Sequence, residues 1–235
     1  MCRILAFHVK GELDKQVLEA IKLSAEHDNL SIYGGHPDGW GIVALIRNGD
    51  DLSSFYYRSS KPIFKDDFFN LIHLDGDEVI GILHVRKAGK SFLLGLPHAH
   101  PYHTRANGYD IFFAHNGSVN RKAFRDPLRP YTDSYMVLED IADYVNSGLE
   151  PYEAFKEEYS RIKDFSSSLN SALLYVKGKQ TRLIVLHSFN PNAMKEKSEQ
   201  YYHIYCNENY CMSSSVAMHL PDHKLDRVPI GFKEL

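Results

Sequence analysis

Two periods of apolar spacing run through this chain. Ile4–His8 reads as a short strand close to the N-terminus. From Leu13 onward, Leu13, Val17, Leu18, Ile21 and Leu23 or Ala25 repeat at intervals that place them on one helix face, predicting a helix over 13–25. The glycine-rich turn Gly34-Gly35-His36-Pro37-Asp38-Gly39 follows. Trp40–Ile46 is apolar at nearly every position, as in a strand covered on both faces. Asn48-Gly49-Asp50-Asp51 is a turn signal, and Ser54–Arg58 is the return strand of a hairpin.

Further on, Glu78–Arg86 and Ile111–Ala114 read as strands, the second ending abruptly at His115-Asn116-Gly117. Asp133 opens a helical pattern through Met136, Val137, Ile141 and Val145 that stops near Gly148. A second helix is expected from Pro151 to Ile162, with proline in the first turn, where its missing N–H leaves no bond unmade. Strands at Ala172–Val176 and Leu183–His187, joined across Lys177–Gln180, precede two more near Tyr202–Cys206 and Cys211–Ser214. Strand pairs joined by tight turns predict antiparallel sheet, with the helices as covering layers. No linker or repeat divides the chain, so a single α+β domain over residues 2–235 is expected.

Composition narrows the class. With 43% hydrophobic residues, 24% charged residues and a net charge of −3, the chain has no basic footprint for nucleic acid. Its longest apolar runs are too short to cross a bilayer, and no signal-peptide core follows Arg3, so no membrane association and a cytoplasmic location are expected. Three cysteines do not make a disulfide framework. Cys206 and Cys211 can face each other across a hairpin, although two reduced thiols are the expectation in that compartment. His98, His100 and His103 are closely spaced, but without a supporting carboxylate or further histidine no metal site and no cofactor are expected.

The candidate chemistry begins at Cys2. Removal of Met1 would leave a residue carrying both a thiol and an α-amino group. That amine, with an ordinary pKa of about 7.7–8.0, is well placed to take the thiol proton near neutrality. Amide attack also needs oxyanion donors, which the Asn116 side chain and the Gly117 N–H can supply at a strand end where Gly117 tolerates a positive φ. Arg86, closing His84-Val85-Arg86, can present a bidentate fork to a carboxylate. Asp133 can bind an ammonium group or serve as an N-cap.

In this order, N-terminal Cys, Gly-Trp-Gly, His-x-Arg, His-Asn-Gly and Thr-Asp-Ser, the chain resembles the class II glutamine amidotransferase domain of the N-terminal-nucleophile hydrolases, closely over about the first 140 residues. The resemblance implies a four-layer αββα sandwich of two mostly antiparallel sheets. It implies that Cys2 is the nucleophile and its amine the base, that Asn116 and Gly117 form the oxyanion hole, that Arg86 grips the α-carboxylate of a glutamyl group and that Asp133 reads its α-ammonium. Gly39 and Trp40 match the loop lining the pocket, while His84 and His100 fall in its substrate-side motifs.

Three positions depart from that family's pattern. The stretch Arg86-Lys87-Ala88-Gly89 lacks the Ser-Thr pair, Ala99 stands where small relatives have Asn, and Tyr135 follows Thr132-Asp133-Ser134 in place of Glu. The implied substrate is glutamine or another γ-glutamyl compound, with ammonia passed to a separate synthase subunit or an amine released by hydrolysis. The alternative is a non-catalytic binding or regulatory domain that keeps the fold, which loss of the nucleophile, Arg or Asp would mark.

Overall fold

The structure, a computed structural model, describes residues 2–194, 196 and 198–235. The expected removal of Met1 lies outside the described residues. In chain order, β1 (Arg3–Val9) leads to α1 (Lys15–Glu26), the hairpin β2 (Trp40–Asn48) and β3 (Asp51–Ser59), and β4 (Glu78–Val85). Next come β5 (Tyr102–Ala106), β6 (Tyr109–Val119), α2 (Asp133–Asn146) and α3 (Pro151–Ile162). The chain ends with β7 (Ser166–Lys177), β8 (Gln180–His187), β9 (Ile204–Cys206), β10 (Tyr210–Ser213), α4 (Ser214–Ala217), β11 (Asp226–Arg227) and β12 (Gly231–Glu234).

The strands form a seven-stranded sheet in the order β11-β9-β10-β1-β4-β2-β3 and a five-stranded sheet in the order β12-β8-β7-β6-β5. Every pairing in both is antiparallel. Three clusters separate four layers. Leu5, Phe7, Ile42 and Leu83 pack with Val17 and Ile21 of α1. Ile111, Phe113 and Leu173 pack with Leu138 and Ile141 of α2 and Phe155 of α3. Ile4, Val43, Ile82, Phe112 and Leu174 fill the space between the sheets. The architecture is thus the αββα sandwich.

Strand parity decides what lies at the end of that inner layer. Alternate residues share a face, so the inward positions run Ala6, Ile4, Cys2 on β1 and its lead-in; Ile80, Ile82, His84 on β4; Leu45, Val43, Gly41 on β2; and Phe112, Ala114, Asn116 on β6. In the middle of the layer each large apolar side chain contributes about 1.5–3 kcal/mol on burial, which holds the sheets together. At this one end the apolar residues give way to thiol, imidazole and amide.

The structure corrects several expectations. His115-Asn116-Gly117 is not a turn after the strand but part of β6, which continues to Val119 past a register shift between Gly117 and Val119. Asp133 is not the N-cap of α2: Thr132 is, its Oγ1 accepting from Tyr135 N–H at 3.1 Å, and Asp133 is the first helical residue. Cys206 and Cys211 are not reduced thiols but a disulfide, bridging directly opposed residues of β9 and β10. The edge strand β5 and the short β11 and β12 were not expected.

Candidate active site

Cys2 is buried, and its main-chain N–H donates to Asn116 Oδ1 at 3.0 Å, across the gap between the two sheets. That bond uses the amide oxygen of Asn116 and leaves its NH2 as a donor. The thiol meets the segment after β4: Lys87 N–H lies 3.4 Å from Cys2 Sγ. Asp38 shapes that segment. Its carboxylate accepts from Ala88 N–H at 2.8 Å and pairs with Lys87 Nζ at 3.4 Å, while Asp38 N–H donates to Arg86 O and Arg86 N–H to Gly39 O. Gly39 has φ +105°, and a Cβ there would lie 2.7 Å from Ser59 O, so both conformation and space call for glycine.

Arg86 is 5% exposed, has no ion pair among the described residues, and its Nη1 is buried without a hydrogen-bond partner. A buried guanidinium without a counter-charge is costly, and a carboxylate ligand would remove that cost. Its neighbours do not add charge. His100 Nδ1 and His84 Nε2 lie 3.0 Å apart in full burial, and burial pushes both imidazoles well below 6.5, with nearby Arg86 adding to the effect. Both are neutral at pH 7, which makes Arg86 the fixed positive charge of this group. His98, close to His100 in sequence, ends a turn of 3-10 helix.

Gly117 is required by space. A Cβ there would overlap Ser168 O and press on His115 Nε2 at 2.7 Å, because the two are bonded to each other at 3.0 Å directly above it. Gly117 could take a positive φ but does not. His115 donates from Nε2 to the Ser168 carbonyl, so its Nδ1 accepts from Ser134 Oγ at 2.9 Å, the only tautomer that satisfies both bonds. Burial lowers the pKa of His115, with Asp133 acting against that shift. Asp133 itself accepts from Val119 N–H at 2.8 Å and Ser134 N–H at 2.9 Å, docking the start of α2 onto the end of β6. Beyond Gly117, Ser118 and Val119 border a cavity of about 390 Å³ walled also by Asn120, Ser166, Ser167 and Asn190.

Trp40 differs from its expected place. Its indole is wholly enclosed in the core against Tyr57 and Phe69, and its Nε1 donates to Asp66 at 3.1 Å, so the ring offers no surface to a substrate. Reasoning from sequence also missed Asp38, His115 and Ser168. The first two stand inside motifs already singled out, but only the folded chain brings Ser168 over Gly117. Among the described residues no group of three or more His, Cys, Asp or Glu is arranged to hold a metal ion.

The arrangement combines a free thiol, amide donors on the facing strand and an unpaired buried cation, which suits nucleophilic attack on a carbonyl of an anionic substrate. The family model described as "Glutamine amidotransferases class-II" matches residues 1–172. No curated protein matches. Among solved structures, the allosteric regulatory enzyme of purine biosynthesis is similar at 16% identity and a TM-score of 0.57, over 100% of this chain and 48% of that one. The chain therefore spans about half that protein's length. A "predicted glutamine amidotransferase from Pseudomonas aeruginosa PA01" aligns at 14% identity and a TM-score of 0.42, over 100% of this chain and 89% of that one.

Proposed function

The chain belongs to the class II glutamine amidotransferases, and from that premise we propose that it is a glutaminase-type hydrolase in which Cys2 attacks the side-chain amide of glutamine or a γ-glutamyl compound. The observation that carries this reading is the bond from Cys2 N to Asn116 Oδ1. Once Met1 is removed, that nitrogen is an amine. Asn116 Oδ1 then orients it, and Asn116 Nδ2 remains to donate to the oxyanion.

The amine takes the thiol proton, and the thiolate adds to the amide carbonyl. Asn116 Nδ2 and Gly117 N–H hold the tetrahedral oxyanion. The protonated amine gives its proton to the departing nitrogen, releasing ammonia or an amine and leaving a γ-glutamyl thioester at Cys2. Water, activated by the same amine, hydrolyses the thioester to the free carboxylate and restores the thiol. Arg86, buried and unpaired, grips the substrate carboxylate. Asp133 reads the α-ammonium with the lone pairs that its two backbone bonds leave. Gly39 keeps the loop against Arg86, and His84 and His100 support that arginine as neutral groups.

Two uses of the products follow: ammonia consumed by a partner synthase, or an amine released by direct hydrolysis. The cavity beside Ser118 favours donors larger than glutamine, since it adjoins the strand carrying Asn116 and Gly117. Comparing kcat/KM for L-glutamine and for γ-glutamyl peptides separates the two, and Cys2→Ala must abolish turnover of both. A Cys2→Ala protein with full activity ends this reading.

A further inference from the structure

On the outer side of the seven-stranded sheet, behind the nucleophile, lies a charged group buried from solvent. Arg3 and Asp28 are both wholly enclosed, their side chains paired from Arg3 Nε to Asp28 Oδ2 at 2.6 Å. The same oxygen accepts from His36 Nε2 at 2.8 Å and Ser215 Oγ at 2.9 Å. Oδ1 accepts from Leu30 N–H at 2.9 Å. Arg3 also donates to Tyr201 O at 3.2 Å and lies flat on the Tyr201 ring, 3.5 Å from its centroid.

Two chains of contact lead from this carboxylate to the Cys2 sulfur. One passes through Arg3, the residue bonded to Cys2. The other passes through His36 to Asp38, whose carboxylate holds Ala88 N–H and whose N–H holds Arg86 O, beside the Lys87 N–H that faces Cys2 Sγ. We infer that Asp28 is a positioning residue for the proposed reaction: one buried carboxylate fixes both the residue that carries the thiol and the loop that faces it.

The physical need is specific. A residue at the very start of a strand frays unless it is tied down, and Cys2 has only one neighbour in sequence to hold it once processed. Parity sends the Arg3 side chain away from the inner layer, so the anchor sits on the far face of the sheet and does not crowd the thiol. An apolar residue at position 3 would bury as well or better but would leave the direction of the strand start to packing alone. Burial pushes His36 down to about 4 against the pull of Asp28, so it is a neutral donor at pH 7 and, among the described residues, Arg3 is the cation bonded to Asp28.

The inference rests on the glutaminase reading, and its test separates the two. Turnover of L-glutamine and of a γ-glutamyl peptide, thermal midpoint and iodoacetamide alkylation of Cys2 are measured for wild type, D28N and R3M/D28L. In D28N, kcat is expected to fall ~100-fold with KM changed by less than about threefold, the loss expected when a reacting atom is displaced by about an ångström. R3M/D28L replaces both buried charges by apolar groups and is expected to recover the wild-type thermal midpoint without recovering kcat. Its Cys2 still alkylates, since the thiol is present but misaligned.

A folded variant of either kind whose kcat stays within about threefold of wild type overturns the inference and leaves the glutaminase reading intact. Recovery of kcat together with stability in R3M/D28L assigns the group a structural role only and overturns it equally. Should D28N not fold, R3M/D28L decides. A wild type inactive on both L-glutamine and γ-glutamyl peptides overturns the glutaminase reading, and the inference with it.

Discussion

The main-chain nitrogen of Cys2 and the side-chain oxygen of Asn116 are bonded at 3.0 Å although 114 residues separate them and they stand on different sheets. The bond exists because both residues continue the inward rows of their strands, Ile4 and Ala6 on one side and Phe112 and Ala114 on the other. Packing of the apolar middle of the sandwich therefore sets the distance between the proposed nucleophile and the proposed oxyanion donor.

Asn116→Ala removes that donor while leaving the thiol in place. Its kcat for glutamine is expected to fall ~100- to 1,000-fold. Iodoacetamide should still label the protein once, because Cys206 and Cys211 are joined and Cys2 is the free cysteine. Steady-state kinetics and a mass after labelling check both halves.

Arg86→Met exchanges a buried, unpaired cation for an apolar side chain of similar length. Stability is expected to be unchanged or higher, because the desolvated charge is gone, while kcat/KM falls at least ~100-fold through loss of the carboxylate grip. Thermal unfolding together with kinetics tests this opposition. A variant that loses stability and keeps activity would refute it.

Gly117→Ala fails on space. The new methyl overlaps Ser168 O and crowds His115 Nε2, so the bridge above β6 must move. A loss of about 1–3 kcal/mol is expected from overpacking, measured by denaturant unfolding, with kcat falling as Asn116 shifts.

The acid limb of stability reports on His36. Burial holds its pKa at about 4, below the 6.5 of the unfolded chain. Between those values the unfolded state binds more protons, so stability falls as pH drops from 6.5 toward 4, by on the order of 3 kcal/mol from this group. Glu158 acts oppositely, since burial raises it to about 7 and its contribution weakens as pH rises from 4.5 to 7. Unfolding of wild type and His36→Gln over pH 4–7.5 isolates the histidine: the variant is expected to show the shallower slope.

Reduction of the Cys206–Cys211 bond should cost about 2 kcal/mol, as expected for a short closed loop, and leave turnover within about twofold. Unfolding and kinetics with and without reductant measure it.

Much of this was legible from residue pattern because the central strands are strongly apolar. Trp40–Leu45 and Val79–Leu83 declare themselves, and the motifs around Arg86 and Asn116 sit at their ends or on the facing strand. Tyr102–Ala106 did not, because an edge strand reading Tyr-His-Thr-Arg-Ala carries little apolar signal. Asn116-Gly117 carries the pattern of a tight turn, whereas here it lies inside a strand and the close approach of Ser168 O calls for the glycine. Arg3, Asp28 and His36 were invisible as a group, since neither residue type nor spacing predicts three segments meeting on one carboxylate oxygen. The hairpin spacing lets Cys206 and Cys211 face each other, but pattern alone does not say whether they are oxidised.

The proposal makes Cys2 both the first residue of the mature protein and its nucleophile. Intact mass, recorded before and after reaction with a glutamine-analogue electrophile, tests both parts at once. The expected result is a protein lacking Met1 that gains one adduct, located at Cys2 and suppressed by excess glutamine. A protein that retains Met1 and stays unmodified, yet hydrolyses glutamine, would contradict it.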